Sequence, residues 1–116
     1  MYIAEMIPAL SNCLKEQSDN LPNGIKQIIV FGSHARGTAT LRSDIDLALV
    51  YANENDEAKS DRAQMHSLLS DILPLTEITL FGTTFNKISN ANEPKTANFG
   101  IREEGRVIWE AHPTKI

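Results

Sequence analysis

Two aspartates, Asp44 and Asp46, stand two residues apart at the start of an apolar run, residues 45–51 (IDLALVY). If this run is a strand, both side chains point to one face of the sheet and converge on the same volume. Two carboxylates repel one another there unless a cation lies between them. Mg²⁺ takes hard oxygen ligands from one or two carboxylates, with water and substrate phosphates completing its shell. The pair therefore predicts a Mg²⁺ site.

A second group of residues, Gly32-Ser33, closes the preceding apolar run at residues 25–31 (IKQIIVF). Glycine has no side chain, so backbone N–H groups and the Ser33 hydroxyl can approach phosphate oxygens closely. The residues that follow can begin a short helix whose N-terminus favours anions, and Arg36 can add charge-assisted hydrogen bonds to a triphosphate. A surface cation is the alternative for Arg36, and His34 is a secondary candidate for phosphate contact. Gly-Ser alone is typical of a turn, but with the aspartates it predicts a nucleotide site.

The surrounding patterns predict the elements that position these residues. Apolar residues at three-and-four spacing predict helices over residues 3–15 and 65–73, and residues 96–104 also look helical. Runs at residues 25–31, 45–51 and 75–81 predict strands, and 107–110 could form an edge strand. Gly105 suits a left-handed helix cap. This order predicts an α/β (α+β) fold, with helices packed on a mixed β-sheet.

Length and composition limit the classes of function. A chain of 116 residues fits one domain, residues 1–116. A net charge of −4 and the lack of a Lys/Arg cluster argue against direct nucleic-acid binding. No apolar run approaches the ~18 residues that cross a bilayer, so we expect a cytoplasmic protein that does not bind a membrane. Cys13 is the only cysteine and cannot form an internal disulfide.

The motif Gly32-Ser33, ten residues, Asp44-Ile45-Asp46 resembles the signature of the DNA polymerase β-like nucleotidyltransferases. Within that superfamily, residues 31–37 (FGSHARG), 43–47 (SDIDL) and 101–110 (IREEGRVIWE) are similar to the minimal nucleotidyltransferases of prokaryotes. The resemblance implies the polymerase β-like fold. It also implies a third catalytic, metal-binding carboxylate on a neighbouring strand, for which Glu77 is the candidate by position. A solvated surface charge is the alternative for Glu77.

Stand-alone members of this family are often encoded beside a HEPN-domain ribonuclease toxin. The resemblance therefore implies an antitoxin of the HEPN/MNT type that uses two Mg²⁺ ions to transfer AMP from ATP to a tyrosine hydroxyl of the toxin. Two other hypotheses stay open. The domain could neutralise its partner by occlusion without catalysis, or it could modify a small molecule, as aminoglycoside nucleotidyltransferases do. The sequence does not distinguish a monomer from a homo-oligomer.

Overall fold

The computed structural model describes residues 3–111 of the chain. In that range, helices and strands alternate along most of the sequence. The helices are α1 (Ile3–Glu16), α2 (Ser33–Arg36), α3 (Asp61–Ile72), α4 (Phe85–Ser89) and α5 (Ala97–Glu104), and the strands are β1 (Ile25–Phe31), β2 (Ile45–Tyr51), β3 (Ile78–Thr84) and β4 (Arg106–Glu110). None of the helices in this range combines the length and the apolar character needed to cross a bilayer.

The strands form one four-stranded sheet in the order β3-β2-β1-β4. β1 pairs antiparallel with both β2 and β4, whereas β2 and β3 run parallel. A parallel pair needs a crossover connection, and α3 supplies it between β2 and β3. The mixed sheet with helices packed on it confirms the α/β (α+β) class expected from the sequence.

β2 lies at the centre of the molecule and is buried on both faces. Leu47 and Leu49 point into the larger core with side chains of α1 and α3, and both are fully buried. Ala48 and Val50 point to the opposite face and pack in a second cluster with Ile101 of α5. Burial on both faces explains why β2 reads as a continuous apolar run and not as an alternating one.

The long helices follow the predicted periodicity. α1 buries Met6, Leu10 and Leu14 at every fourth position, and each such side chain contributes about 1.5–3 kcal/mol of hydrophobic stabilisation. Pro8 lies inside this helix and removes one backbone donor without ending it. α3 ends at Ile72, just before the predicted stop at Pro74. The helices predicted over residues 3–15 and 65–73 are confirmed.

Two details of the sequence prediction are wrong. The third strand was expected over residues 75–81 but runs from Ile78 to Thr84, so Gly82 lies inside the strand and does not end it. Gly105 does not adopt a left-handed conformation, since its φ is −64° and its ψ is 146°. A Cβ at Gly105 would overlap the Ile101 carbonyl oxygen and approach Ile29 Cγ2. Close packing, and not a positive φ, therefore requires glycine at position 105.

Candidate active site

The aspartate pair lies at the point where β2 begins. Asp44 directly precedes the strand and is exposed, while Asp46 is its second residue and is partly buried. Asp46 pairs with Phe31 of β1 on one side and with Thr79 of β3 on the other. Because hydrogen-bonded strands flank it on both sides, the backbone that carries Asp46 is held firmly in place.

Gly32 lies directly against Asp46. It has a φ of 73° and a ψ of −150°, a conformation that L side chains rarely adopt. A Cβ at this position would also overlap Oδ2 of Asp46. Gly32 is therefore required for two separate reasons, its backbone conformation and its contact with the carboxylate. The glycine predicted to lie under the phosphates and the carboxylate predicted to bind metal border the same space.

The electrostatic surroundings of Asp46 disfavour its negative charge. Partial burial raises the pKa of Asp46 above its usual value, and repulsion from Asp44 raises it further. His34 and Arg36 act in the opposite direction but more weakly. Within residues 3–111, no ion pair joins either aspartate to Lys, Arg or His. Two hard oxygen donors with a repulsion that the protein compensates only in part fit the preference of Mg²⁺.

Asp46 also lines a cleft of about 610 Å³ between the sheet and α5. One wall is formed by the end of β1, by α2 and by Asp46, and the other by the loop before α5 and by α5 itself. The lining residues are Phe31, Gly32, Ser33, Arg36 and Asp46 on the first wall and Pro94, Lys95, Thr96, Ala97, Phe99, Gly100, Glu103 and Glu104 on the second. Four predicted nucleotide-binding residues thus share one cleft, whereas Asp44 and Glu77 do not line it.

Arg36 does not have a free guanidinium group. Its Nη1 lies 3.2 Å from Oε2 of Glu104, and the pair connects the two walls of the cleft. Both side chains are largely exposed, so the pair is weak. A polyphosphate in the cleft would therefore compete with Glu104 for Arg36.

Glu77, the candidate third carboxylate, is exposed and lies one residue before β3. Its carbonyl oxygen accepts a hydrogen bond of 2.9 Å from the backbone N–H of Ile45, which places its backbone beside the aspartate pair. In the part of the chain that the structure describes, no three His, Cys, Asp or Glu side chains are grouped so as to hold a metal ion. A role for Glu77 as a ligand stays a prediction.

His34, the secondary candidate for phosphate contact, lies in the interior of the protein. Its side chain is only 6% exposed and does not line the cleft. It lines a separate cavity of about 670 Å³ between α1 and β4. Its Nε2 has no hydrogen-bond partner among the described residues. The His34 side chain thus lies outside the cleft, although it is close enough to Asp46 to lower the pKa of that carboxyl.

The second wall of the cleft was not identified from the sequence. Thr96 caps α5 by accepting a hydrogen bond of 3.3 Å from the Phe99 N–H. Lys95 precedes this cap and has no ion-pair partner within residues 3–111. The sequence predicts a helix over residues 96–104, and α5 begins one residue later, at Ala97. No sequence pattern could have shown that α5 packs opposite Gly32.

Comparison with known proteins identifies the family. The model of a family described as "Nucleotidyltransferase domain" matches residues 9–107 of this chain. The chain belongs to this nucleotidyltransferase family. Its members transfer nucleotidyl groups, so the prediction of a nucleotidyltransferase is confirmed. A comparison with curated proteins gives no match.

Several solved structures share the fold of this nucleotidyltransferase. A toxin–antitoxin crystallised with AMP-PNP has a TM-score of 0.58 and 22% identity, over 87% of this chain and 73% of the other. A mutant MntA–HpeT toxin–antitoxin with two Asp-to-Glu substitutions has a TM-score of 0.59 and 17% identity, with the same shares covered, 87% and 73%. Another mutant, with a Tyr-to-Ala substitution, has a TM-score of 0.54 and 22% identity, over 86% and 71%. These likenesses confirm the polymerase β-like nucleotidyltransferase fold.

Proposed function

We propose that this chain is a cytoplasmic, Mg²⁺-dependent adenylyltransferase that transfers AMP from ATP to a tyrosine hydroxyl of a partner HEPN-domain ribonuclease toxin. The modified toxin would be inactive, and the chain would thus act as its antitoxin. Nucleotidyl transfer itself follows from the family. The identities of the donor, the metal, the acceptor and the partner are what we propose here.

The observation that carries the proposal is the contact between Gly32 and Asp46. Any side chain at position 32 would overlap the Asp46 carboxylate, so the floor of the cleft and a metal-binding group share one space. Phosphate oxygens placed over Gly32 would come within reach of a cation held by Asp46 and Asp44. This arrangement suits a nucleoside triphosphate bound with Mg²⁺.

The residues of the chain have separate tasks in the transfer. Asp44 and Asp46 would hold Mg²⁺, which neutralises charge on the phosphates and makes the acceptor hydroxyl more acidic. The Ser33 hydroxyl and the backbone at Gly32 would bind phosphate oxygens, and Arg36 would leave Glu104 to neutralise further charge. The acceptor hydroxyl gives its proton to solvent, and its oxygen forms a bond to the α-phosphorus. The bond from that phosphorus to the oxygen that bridges to the β-phosphate breaks, and pyrophosphate leaves with the electron pair.

Features of the solved relatives support the donor and the partner. One was crystallised with AMP-PNP, an analogue of ATP, and is a toxin–antitoxin. The two substituted aspartates in a second are two positions apart, the spacing of Asp44 and Asp46. The third carries a substituted tyrosine, the residue type proposed here as acceptor. The proposal that the partner has a HEPN domain rests on the resemblance of this chain to the minimal nucleotidyltransferases.

The decisive experiment uses ATP labelled at the α-phosphate, Mg²⁺ and the purified product of the neighbouring gene. Wild type should place the label on a tyrosine of that protein, and calorimetry should detect ATP binding only with Mg²⁺. Asp44→Ala should abolish labelling, while Asp19→Ala, at another exposed aspartate that lines a different cavity, should not. Undiminished labelling by Asp44→Ala would contradict the assignment of the site.

A second function is favoured by the position of Glu77. Its side chain is exposed and does not complete a three-carboxylate metal group in residues 3–111. A domain without a third metal ligand could still neutralise a toxin by covering it. The labelling experiment separates the two functions, because occlusion gives a stable complex that carries no label.

A further inference from the structure

Two leucines of this protein are unusually exposed. Leu75 is 100% exposed and Leu41 is 66% exposed, more than any other large hydrophobic side chain in residues 3–111. A single exposed apolar side chain is ordinary on a protein surface. These two, however, lie together, since both line one small cavity of about 340 Å³.

The floor of this cavity is apolar as well. It is formed by Met6 of α1 and by Ile72, Leu73 and Pro74 at the end of α3, of which Met6 and Leu73 belong to the buried core. We call the surface formed by Leu41, Ile72, Leu73, Pro74 and Leu75 the leucine patch. It is a shallow apolar socket with two projecting leucines at its rim, a shape that accepts an apolar side chain.

The leucine patch lies next to the proposed catalytic centre. Leu41 is three residues before Asp44, and Leu75 is two residues before Glu77. Three residues of fully extended chain span at most about 11 Å, so the Cα atom of each leucine lies within this distance of the Cα atom of the acidic residue that follows it. A standard protein interface covers roughly 800 Å² on each partner, so a protein bound at this end of the sheet would cover the leucine patch.

The strand order places the leucine patch on the acceptor side. Gly32 and Ser33 follow β1, Leu75 precedes β3, and β2 with the aspartates lies between them. The triphosphate cleft is thus on the β1 side of the aspartates, and Leu75 is on the β3 side. In an in-line displacement the attacking oxygen enters opposite the leaving group. The acceptor therefore arrives from the side that carries the leucine patch.

Charge near the leucine patch further defines the partner. Apart from Asp44, which is assigned to Mg²⁺, the exposed acids in residues 41–44 and 71–77 are Asp71 and Glu77, against one exposed cation, Arg42. The whole chain has a net charge of −4. Complementary charge steers the encounter of two proteins, and here it favours Lys and Arg on the partner.

We propose that the leucine patch is the docking surface for the acceptor protein, which inserts an apolar side chain flanked by basic residues and so presents its acceptor hydroxyl to the aspartate pair. This inference rests on the proposed function and specifies where the partner binds. A small-molecule acceptor would need no apolar surface outside the 610 Å³ cleft.

The test compares the double variant Leu41→Asp/Leu75→Asp with Val107→Asp, a 51% exposed position on β4 at the opposite edge of the sheet. The probe is the purified product of the neighbouring gene. The double variant should raise the KM for this protein, and its Kd for the complex, by about tenfold or more, with an unchanged Kd for ATP and Mg²⁺. Val107→Asp should change none of these constants.

The outcomes separate this inference from the proposed function. If wild type binds the probe but transfers no label, the proposed transfer reaction is disproved. Loss of binding in the double variant would still support the docking surface in that case. An unchanged KM and Kd in the double variant overturns the docking surface, as does a wild type that neither binds nor labels the probe. If the only effect of the double variant is to convert a dimer of this chain into a monomer, the docking surface is also overturned. If the double variant fails to fold, Leu75→Asp alone, at the fully exposed position, gives the same test.

Discussion

The two ends of β2 carry carboxylate sites of opposite design. At the end of the strand, the Tyr51 hydroxyl donates a hydrogen bond of 2.8 Å to Oδ2 of Asp61, and the Ala58 N–H donates one of 3.1 Å to the same oxygen. Tyr51 and Asp61 are both buried. At the start of the strand, Asp46 faces another carboxylate, and no cationic side chain in residues 3–111 pairs with it.

The difference separates a carboxylate used for stability from one kept for a ligand. A buried carboxylate without donors is destabilising, so Asp61 has its hydrogen bonds inside the protein. Asp46 retains lone pairs that only water, a cation or a substrate can use. Substitutions at the two ends should therefore have opposite effects on activity and on stability.

The largest effect is expected for Asp46→Asn, which keeps the shape of the side chain and removes its charge. Nucleotidyl transfer should fall by about 1000-fold, a loss typical of removing one group that stabilises transition-state charge. The free energy of unfolding in the metal-free protein should stay the same or rise, because the repulsion from Asp44 is removed. Labelling with α-labelled ATP and urea unfolding measure the two quantities. A large loss of stability in Asp46→Asn would place Asp46 in the same class as Asp61.

A smaller effect on transfer is expected for Gly32→Ala, with Gly37→Ala as its control. Both glycines have a positive φ, 73° and 77°, so both variants should lose stability: roughly 1 kcal/mol for Gly37→Ala, in the left-handed helical region, and more for Gly32→Ala, whose ψ of −150° is essentially restricted to glycine. Only at position 32 would the new Cβ overlap Asp46, since nothing lies within 4 Å of a Cβ at position 37. Gly32→Ala should therefore weaken Mg²⁺-dependent ATP binding in calorimetry, and Gly37→Ala should not. Equal losses of binding in both variants would disprove the close contact as the cause.

At the other end of β2, Tyr51→Phe should lower the free energy of unfolding by about 1–3 kcal/mol, because the buried Asp61 loses a donor. Transfer should be unaffected. Chemical denaturation of wild type and variant measures the difference. A Tyr51→Phe protein as stable as wild type would show that the Ala58 N–H alone satisfies Asp61.

The smallest effect is a pH dependence of stability at Asp46. Its pKa in the folded protein lies above the ordinary value of 3.8, because burial and Asp44 disfavour the charged form. The folded state then binds protons more tightly than the unfolded state, so metal-free wild type should lose stability relative to Asp46→Asn as pH rises from about 3.8 through the raised pKa. Urea unfolding at a series of pH values, with a chelator present, follows this difference. An opposite slope would mean that Asp46 is stabilised as an anion.

The strands show how much of this fold the sequence predicts. Gly32 and Gly24 bound the apolar run of β1, and the motif from Ser43 to Leu47 starts β2, so both strands were predicted within one residue. The predicted third strand begins too early, at residue 75 instead of Ile78, because Leu75 extends the alternating pattern. The Leu75 side chain is nevertheless fully exposed. The pattern records which residues are apolar and not which of them the fold buries.

Other parts of the site depend on contacts between distant segments. The motif brings Gly32, Ser33 and Asp46 together, but the opposite wall of the cleft comes from residues 94–104. The sequence predicts the helix over residues 96–104 but not the surface that it packs against. The Tyr51–Asp61 hydrogen bond, likewise, joins two residues of ordinary type that become partners only after α3 packs against the sheet. Contacts of this kind can be identified only in the folded structure.

The weak connection between the walls of the cleft affects how fast a ligand can bind. Arg36 and Glu104 are 48% and 41% exposed, and an ion pair so open to water contributes about 0–1 kcal/mol. Thermal motion separates such a pair readily, without disturbing any strand. The Arg36–Glu104 pair itself should therefore add little to the kinetic barrier that a ligand meets on entering the cleft.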